Sequence, residues 1–579
     1  MSAIKEIGEI AKTKPKTTIT NQNSKILSIL INTKQKRYEG IDIEDFDSTK
    51  QEFYLFSDRA SKGNAPYPFC PLNFKYYERT FNKVLVWLTN SEKYIYKDNA
   101  DDALKSLVYN ATHILKSQRN EILKDLSGKI NEIPRKTTLY LTAKIDGHFL
   151  GEYDFFKSFP QLVKTEKRKR SSNISTCSIC GNHNKEVSGK SDVFKFYTID
   201  KPGFIAGGFK ELTAWKNFPV CNDCYLALQN GRKYLEDNLR FSFYGFNYLL
   251  IPKLLITDKS KLSELLDILS TTKKEISLKH RTIRKITSDE EDILDLFSNQ
   301  NDLLTVNFLF LQNIQSAERI VLAIDDVFPS RIKKIFEAKE EIDSLFQNYQ
   351  ENGFTFATIR NFFSRSDENK KSTDLDKYFL EIVHAIFKGE EINFPFLAKF
   401  IMPVLRKELL KEDNHLFFRV RDALMLMSFL EKIGIIKFRE VSIMEINAFD
   451  SIFNRYGNSF ASPIKRGVFL IGVLTQLLLN KQSSERNTKP PFIKKLKGLK
   501  MDERDIKGLL PQIINKMEEY DALDTGKQRI AKEASKYLLE AGENWKLSID
   551  EINYYFACGM CLANEIANIV YNNPIIKEA

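Results

Sequence analysis

Only six histidines are scattered over the 579 residues, too few and too dispersed to supply general acid–base chemistry in the usual way. No G-x-x-x-x-G-K-[ST] phosphate loop, no G-x-S-x-G elbow and no H-E-x-x-H helix is present, which removes the commonest nucleotide-hydrolysing, serine-hydrolase and zinc-protease signatures. Seven cysteines in this length are no disulfide framework and point to a reducing, cytoplasmic location. Long apolar runs are missing too. The most apolar stretch, Val468 to Leu479, falls short of the roughly 20 residues a membrane helix needs, and the polar opening MSAIKEIGEIAKTKPKTTIT has no signal-peptide pattern.

What is present is a large, soluble composition with 42% apolar and 28% charged residues, 43 Phe and 23 Tyr. The length implies several domains. A net charge of +11 suits a polyanionic partner wherever the cations cluster. Three runs do so. They are KTEKRKR, read as a linker and holding Lys167, Arg168, Lys169 and Arg170; Lys273 to Lys285, with Lys273, Lys274, Arg281 and Arg284; and Lys481 to Lys507, with Lys494, Lys495, Lys497 and Lys500. The last run has nine cations against four acids and contains Pro490 and Pro491, which makes it an exposed loop.

The sharpest motif is CSICG at Cys177 to Gly181 followed by PVCNDC at Pro219 to Cys224. Two residues between cysteines let one turn present both thiolates to one ion, and two such pairs complete a tetrahedral zinc site. The first pair sits on a knuckle and the second leads into an amphipathic helix, the layout of a treble clef. The gap between the pairs holds a strand-like run, Val193 to Ile199, and a glycine-rich loop, Gly203 to Gly208, flanked by Lys201 and Lys210. His183 is an alternative fourth ligand. With four cysteines the site is closed and structural. A zinc-containing nuclease or polymerase-like enzyme is the competing reading, its acids being Asp325 and Asp326 at the end of IVLAIDDV and its metal held by paired carboxylates. Ser330 reads there as a helix cap. Cys558 and Cys561 lack a second pair and read as core residues one helical turn apart, and Cys70 as buried and inert.

The expected fold is α+β and multidomain, mostly helical. A mixed N-terminal region spans 1–135. A hairpin around Asp146-Gly147 plus the zinc module spans 136–260, a mostly helical region spans 261–443, and a C-terminal four-helix bundle spans 444–579. In that bundle Ser548 and Glu551 form a capping box, the second helix reads as one helix or as one kinked at Pro511, Gly542 ends the third, and the last helix runs to about Val570.

The ordered segments CSICG, FKFYTIDKPGFIAGGFKELTAWKNFPVCNDC, LALQNGRKYLEDNL and YGFNYLLIPKLL resemble the large subunit of the type I-B CRISPR surveillance complex, Cascade. LYLTAKIDGHFLGEY upstream, and DDVFPSR, KPPFIKKLKGL and LSIDEINYYFACGMCLANEI downstream, extend the resemblance from about Thr137 to Ala567. It implies a non-enzymatic subunit that sits near the 5′ handle of the crRNA, reads the protospacer-adjacent motif in duplex target DNA, helps to open it, and positions the displaced strand. It also implies partners: backbone, handle-binding and small subunits, and a separately recruited helicase-nuclease. Low-specificity candidates for motif contact are Lys201, Lys210 and the glycine-rich loop. In relatives an internal start can also yield a small subunit; here Met425, Met427 and Met444 are the available methionines.

Overall fold

The computed structural model describes residues 1–10, 24–55, 66–96, 101–169, 171–190, 193–197, 210–256, 258–282, 304–315, 317–346, 353–367, 370–411, 415–438, 449–485 and 489–572. It divides into two units. The smaller takes Lys12–Val193 and Tyr197–Leu226; the larger takes Met1–Ala11, Phe194–Phe196 and Ala227–Ala579. The opening helix α1 (Ser2–Ile10) belongs to the larger.

The smaller unit starts with strands β1 (Ser24–Asn32) and β2 (Arg37–Asp45), then β3 (Cys70–Leu72), helices α2 (Tyr77–Ile95), α3 (Asp102–Ser117) and α4 (Arg119–Asn131), and strands β4 (Thr138–Ile145) and β5 (His148–Phe149). The sheet order is β2-β1-β4-β3, with β5 paired to β4. β1 lies between β2, antiparallel, and β4, parallel. Its alternate residues serve two cores. Leu27, Ile29 and Ile31 pack with Phe81, Val84, Leu88 and Leu115, while Ile26 packs with Tyr54, Phe69 and Phe149. The expected hairpin turn is there. Asp146 and Gly147 both take positive φ, 49° and 85°, as a two-residue turn with primed geometry requires. The Asp146 carboxylate also accepts bonds from Thr33 N at 2.7 Å and Thr33 Oγ1 at 2.6 Å. The boundary drawn at 135/136 therefore runs between strands of one sheet.

Helix α5 (Asp154–Lys169) replaces the expected linker through Lys169. Phe155, Phe156 and Phe159 recur at helical spacing, and Trp87 receives Phe156 and Phe159 at ring distances of 5.4 and 5.2 Å. That aromatic stripe holds the helix, and the charged residues continue it. A three-stranded sheet follows, made of β6 (Ser172–Ser175), β7 (Lys185–Ser188) and β8 (Val220–Cys221), all antiparallel. Helix α6 (Asn222–Asn238) starts directly after β8. Of the expected strand Val193 to Ile199, residues 193–197 form turns instead.

In the larger unit, β9 (Arg240–Phe243), β10 (Phe246–Leu254), β11 (Leu304–Ile314) and β12 (Ala317–Val327) form an antiparallel sheet, and α7 (Lys259–Thr282) lies between β10 and β11 in sequence. Two 11-residue strands thus occupy a region expected to be mostly helical. The remaining elements are helices: α8 (Pro329–Leu345), α9 (Phe356–Phe362), α10 (Asp376–Lys388), α11 (Phe394–Leu410), α12 (Leu416–Lys432), α13 (Asp450–Arg455), α14 (Pro463–Glu485), α15 (Glu503–Glu519), α16 (Thr525–Ala541), α17 (Ile549–Cys561) and α18 (Ala563–Asn572). Phe328, not Ser330, caps α8, because Pro329 takes the first helical position where its missing N–H costs nothing. Ser548 and Glu551 do form their capping box, Gly542 ends α16 at φ 73°, and α15 runs through Pro511. The last expected helix is two, broken at Leu562.

Candidate metal centre and nucleic-acid residues

Cys177 and Cys180 lie in the turn between β6 and β7. Gly181 N–H donates to Cys177 O at 2.9 Å, and Gly181 takes φ 71°, a left-handed conformation that glycine adopts without strain. Cys221 ends β8, and Cys224 sits in the first turn of α6. Register brings the pairs together: Val187 of β7 faces Cys221, and Ser178 N–H donates to Pro219 O at 2.8 Å. The four sulfurs all lie within 4.8 Å of one another, and Cys180 Sγ is 4.0 Å from Cys221 Sγ. A tetrahedron with metal–sulfur bonds of about 2.3 Å has edges of about 3.8 Å, so the thiols are arranged to share one ion. Among the described residues this is the only such group of three or more His, Cys, Asp or Glu.

Burial opposes a thiolate at Cys177, but backbone N–H groups of Cys221, Cys180 and Ile179 outweigh it and bring the thiol down to about 6. The Cys221 N–H is 3.3 Å from that sulfur. Burial pushes Cys221 and Cys224 up. A bound cation would favour the thiolate at both. His183 is not part of it; its Nδ1 lies 2.8 Å from Thr176 Oγ1 on the surface.

The structure reassigns Arg168. Far from an exposed phosphate contact, it is 5% exposed. Its guanidinium donates to Lys190 O at 2.6 Å and Val220 O at 2.8 Å, and lies 3.8 Å from the centre of the Tyr225 ring. Val220 precedes one cysteine and Tyr225 follows another, so Arg168 ties the end of α5 to both arms of the second cysteine pair. A run of alternating Lys and Arg carries no signal that one member points inward. Lys169 is exposed; Arg170 and the Lys167 side chain lie outside the described residues.

Lys210 is exposed before the short turn Glu211–Lys216. Lys201, the loop Gly203 to Gly208, Arg284 and the acids Asp289 to Asp292 lie outside the described residues. Lys273, Lys274 and Arg281 are placed on α7, without described side chains. Lys494, Lys495, Lys497 and Lys500 are all exposed. Lys497 is held by Asp505 at 2.6 Å.

Asp325 and Asp326 belong to no cluster of three or more metal-ligating side chains among the described residues. Asp326, at φ 49°, bonds Lys253 Nζ at 2.9 Å and Thr305 Oγ1 at 2.8 Å. Those donors hold its carboxyl below the usual range. Arg331, unremarked in sequence beyond its motif, donates to Ile386 O and Ile433 O, at the C-terminal ends of α10 and α12, where a cation is favoured. Cys558 is buried. Cys70 is buried and pushed up to about 11 by desolvation. Both are as expected.

No helix among the described residues is long and apolar enough to cross a membrane. No curated protein matches the chain. Family profiles do, in order: residues 1–159 match the N-terminal domain, 174–327 the central domain, and 354–573 the C-terminal domain of the family described as CRISPR-associated protein TM1802. The central match contains all four clustered cysteines. With three successive domains of one family matched along most of its length, the chain belongs to the TM1802 family of CRISPR-associated proteins.

Proposed function

We propose that this chain is the large subunit of a type I-B Cascade, acting in cytoplasmic antiviral defence as a binding protein rather than an enzyme. In this reading it contacts crRNA near the 5′ handle, checks the adjacent motif in duplex DNA, helps to separate the strands, and recruits a helicase-nuclease alongside the backbone and small subunits. The observation that carries the reading is the family match over all three domains.

Two features of the site support it. Four thiols fill a tetrahedron and leave no position for an activated water, so the ion they suit is structural zinc. Of the two acids that a polymerase-like reading needs, Asp326 is engaged by Lys253 and Thr305. Exposed lysines at 494, 495 and 500 supply sequence-independent phosphate attraction, while guide pairing supplies sequence.

The test is expression of the tagged chain with its neighbouring genes. Co-purification of a uniform small RNA, and duplex binding that depends on the sequence beside the target, are the expected results. Metal-dependent cleavage by the purified chain alone, lost in Asp326→Asn, would replace this reading with the enzymatic one.

A further inference from the structure

The basic segment after α14 changes hand in the middle. Residues Pro491–Leu496 form a right-handed 3₁₀ helix, and the next three residues all take positive φ: Lys497 at 46°, Gly498 at 61° and Leu499 at 60°. Left-handed residues normally occur singly, and those with a side chain are strained by their Cβ. Lys497 and Leu499 both carry that strain.

Helices α11, α14 and α17 hold the turn in this conformation. Leu496, Leu499 and Met501 are buried. Leu499 N–H closes the turn on Leu496 O at 2.8 Å, and Arg406 Nε of α11 donates to Leu499 O at 3.0 Å. The buried Asn553 of α17 donates to Met501 O at 2.8 Å and accepts from Met501 N–H at 3.1 Å. Gln482 of α14 accepts from Phe492 N–H at 3.1 Å. A disfavoured backbone that its surroundings fix so firmly is a pointer to function.

What the turn offers is a set of donors. A right-handed residue followed by a left-handed one turns successive N–H groups into a shallow concavity, a recurrent anion site. Lys497 N–H and Gly498 N–H have no acceptor among the described residues. A Cβ built on Gly498 would meet nothing within 4 Å, so the surface there is open. Lys494, Lys495, Lys497 and Lys500 are exposed. Lys497 is held by Asp505 at 2.6 Å, a carboxylate that also accepts from Asp502 N–H at 3.1 Å. The other three lysines form no ion pair among the described residues. Free N–H groups beside uncompensated ammonium groups select an anion, and a tetrahedral oxyanion has acceptors enough for both kinds of donor.

We propose that the turn Leu496 to Leu499 is an oxyanion site that seats one phosphate group on the N–H groups of Lys497 and Gly498, with Lys494, Lys495 and Lys500 supplying charge. The inference deepens the nucleic-acid-binding reading above and rests on it only for the source of the phosphate, a strand backbone. Flexible lysines attract any phosphate without fixing its place. The N–H groups of a rigid turn each point one way, so they set where the strand lies and in which orientation. Lys497 contributes through its backbone, its ammonium being spent on Asp505.

The test uses the full chain made with isotope-labelled glycine, in which the Gly498 amide signal is identified by its absence from Gly498→Ala. Inorganic phosphate and a single-stranded oligothymidylate are titrated separately at constant ionic strength. A downfield shift of the Gly498 amide proton is expected with both, the oligonucleotide acting at lower concentration. Gly498→Val adds a side chain that meets no neighbour but disfavours positive φ. It should bind the oligonucleotide about 10-fold more weakly, the equivalent of one charge-assisted hydrogen bond, with a thermal melt verifying its fold. A wild-type Gly498 amide that neither probe moves overturns the site, and equal affinity of folded Gly498→Val and wild type overturns the role of the backbone. A shift with phosphate but none with a bound oligonucleotide upholds the oxyanion site and assigns it to a small phosphate compound. Failure of the wild type to bind any nucleic acid, with the phosphate shift intact, overturns the functional reading and leaves the site standing.

Discussion

Replacing Arg168 with alanine distinguishes two roles for the basic run. The side chain gives two charge-assisted bonds to the carbonyls of Lys190 and Val220, each worth roughly 1.5–3 kcal/mol. It also stacks on Tyr225 at 3.8 Å, worth up to about 2 kcal/mol when desolvated. These terms share one guanidinium and are not additive, so a loss of about 3–5 kcal/mol is expected, at the upper end of single substitutions. The loss falls on β8 and the start of α6, which carry Cys221 and Cys224. Arg168→Ala should therefore melt earlier and release its metal to a chromogenic chelator faster than the wild type. The slope of log binding constant against log salt should stay unchanged, because no phosphate contact is removed. Lys169→Ala, exposed one position on, should do the reverse, with normal melting and a slope shallower by at most about one unit. An Arg168→Ala protein that melts and holds metal normally, yet shows the shallower slope, would refute the buried role.

Purified chain should carry about one zinc, and Cys224→Ser should lose it together with the fold of the module, because metal-binding free energy is folding free energy there; full zinc content in that variant, by elemental analysis, would remove the four-thiol assignment. Lys465 is pulled down to about 8 by burial, against the rings of Phe438 and Tyr555 at 4.9 and 5.0 Å and near Glu551 and Glu431. A cation whose folded value is depressed costs stability below that value, and the cost disappears as pH rises from about 8 towards the unfolded 10.5, so Lys465→Met should stabilise the larger unit by about 3 kcal/mol at pH 7 and flatten its melting profile over that window; equal melting of both proteins at pH 7 would contradict it. A fragment starting at Met444 lacks α11 and α12, which cover α17 through Phe394 on Tyr554 at 5.1 Å and Arg406 on Asp550. Expressed alone, it should bind a hydrophobic dye and self-associate, whereas a fragment starting at Asp376 should not; a monomeric, cooperatively melting Met444 fragment would show that the bundle folds without its neighbours.

How much of this was legible in the sequence follows from which signals are local. The cysteine pairs, the Asp146-Gly147 turn, the Ser548 box and the Gly542 stop each depend on a few adjacent residues, and each was readable. β1 was not, for a physical reason. Its neighbours β2 and β4 pair with it on both edges and both its faces are covered, so SKILSILIN shows no clean alternation, and a strand buried on both sides looks like any short apolar run. β11 and β12 escaped for the same kind of reason: their pairing is visible only once the chain folds back. No Pro or Gly stands at Leu562 itself to announce the break there.

Charge was the least legible property, because a cationic residue has the same letter whether it faces water or protein. Arg168 and Lys169 are neighbours in one run, yet one is buried against backbone carbonyls and the other is exposed. Arg331 likewise spends its guanidinium on two helix ends. Guanidinium suits this work: it is weakly hydrated, rigid and rich in donors, so it can satisfy several buried carbonyls at once, while a lysine ammonium is better left in water. Arg168, Arg331 and Arg466, the last also buried and bonded to Phe460 O and Asp450, act inside the fold. Lys169, Lys210, Lys494, Lys495 and Lys500 remain exposed, and the proposed polyanion contacts would fall first on lysines of this kind.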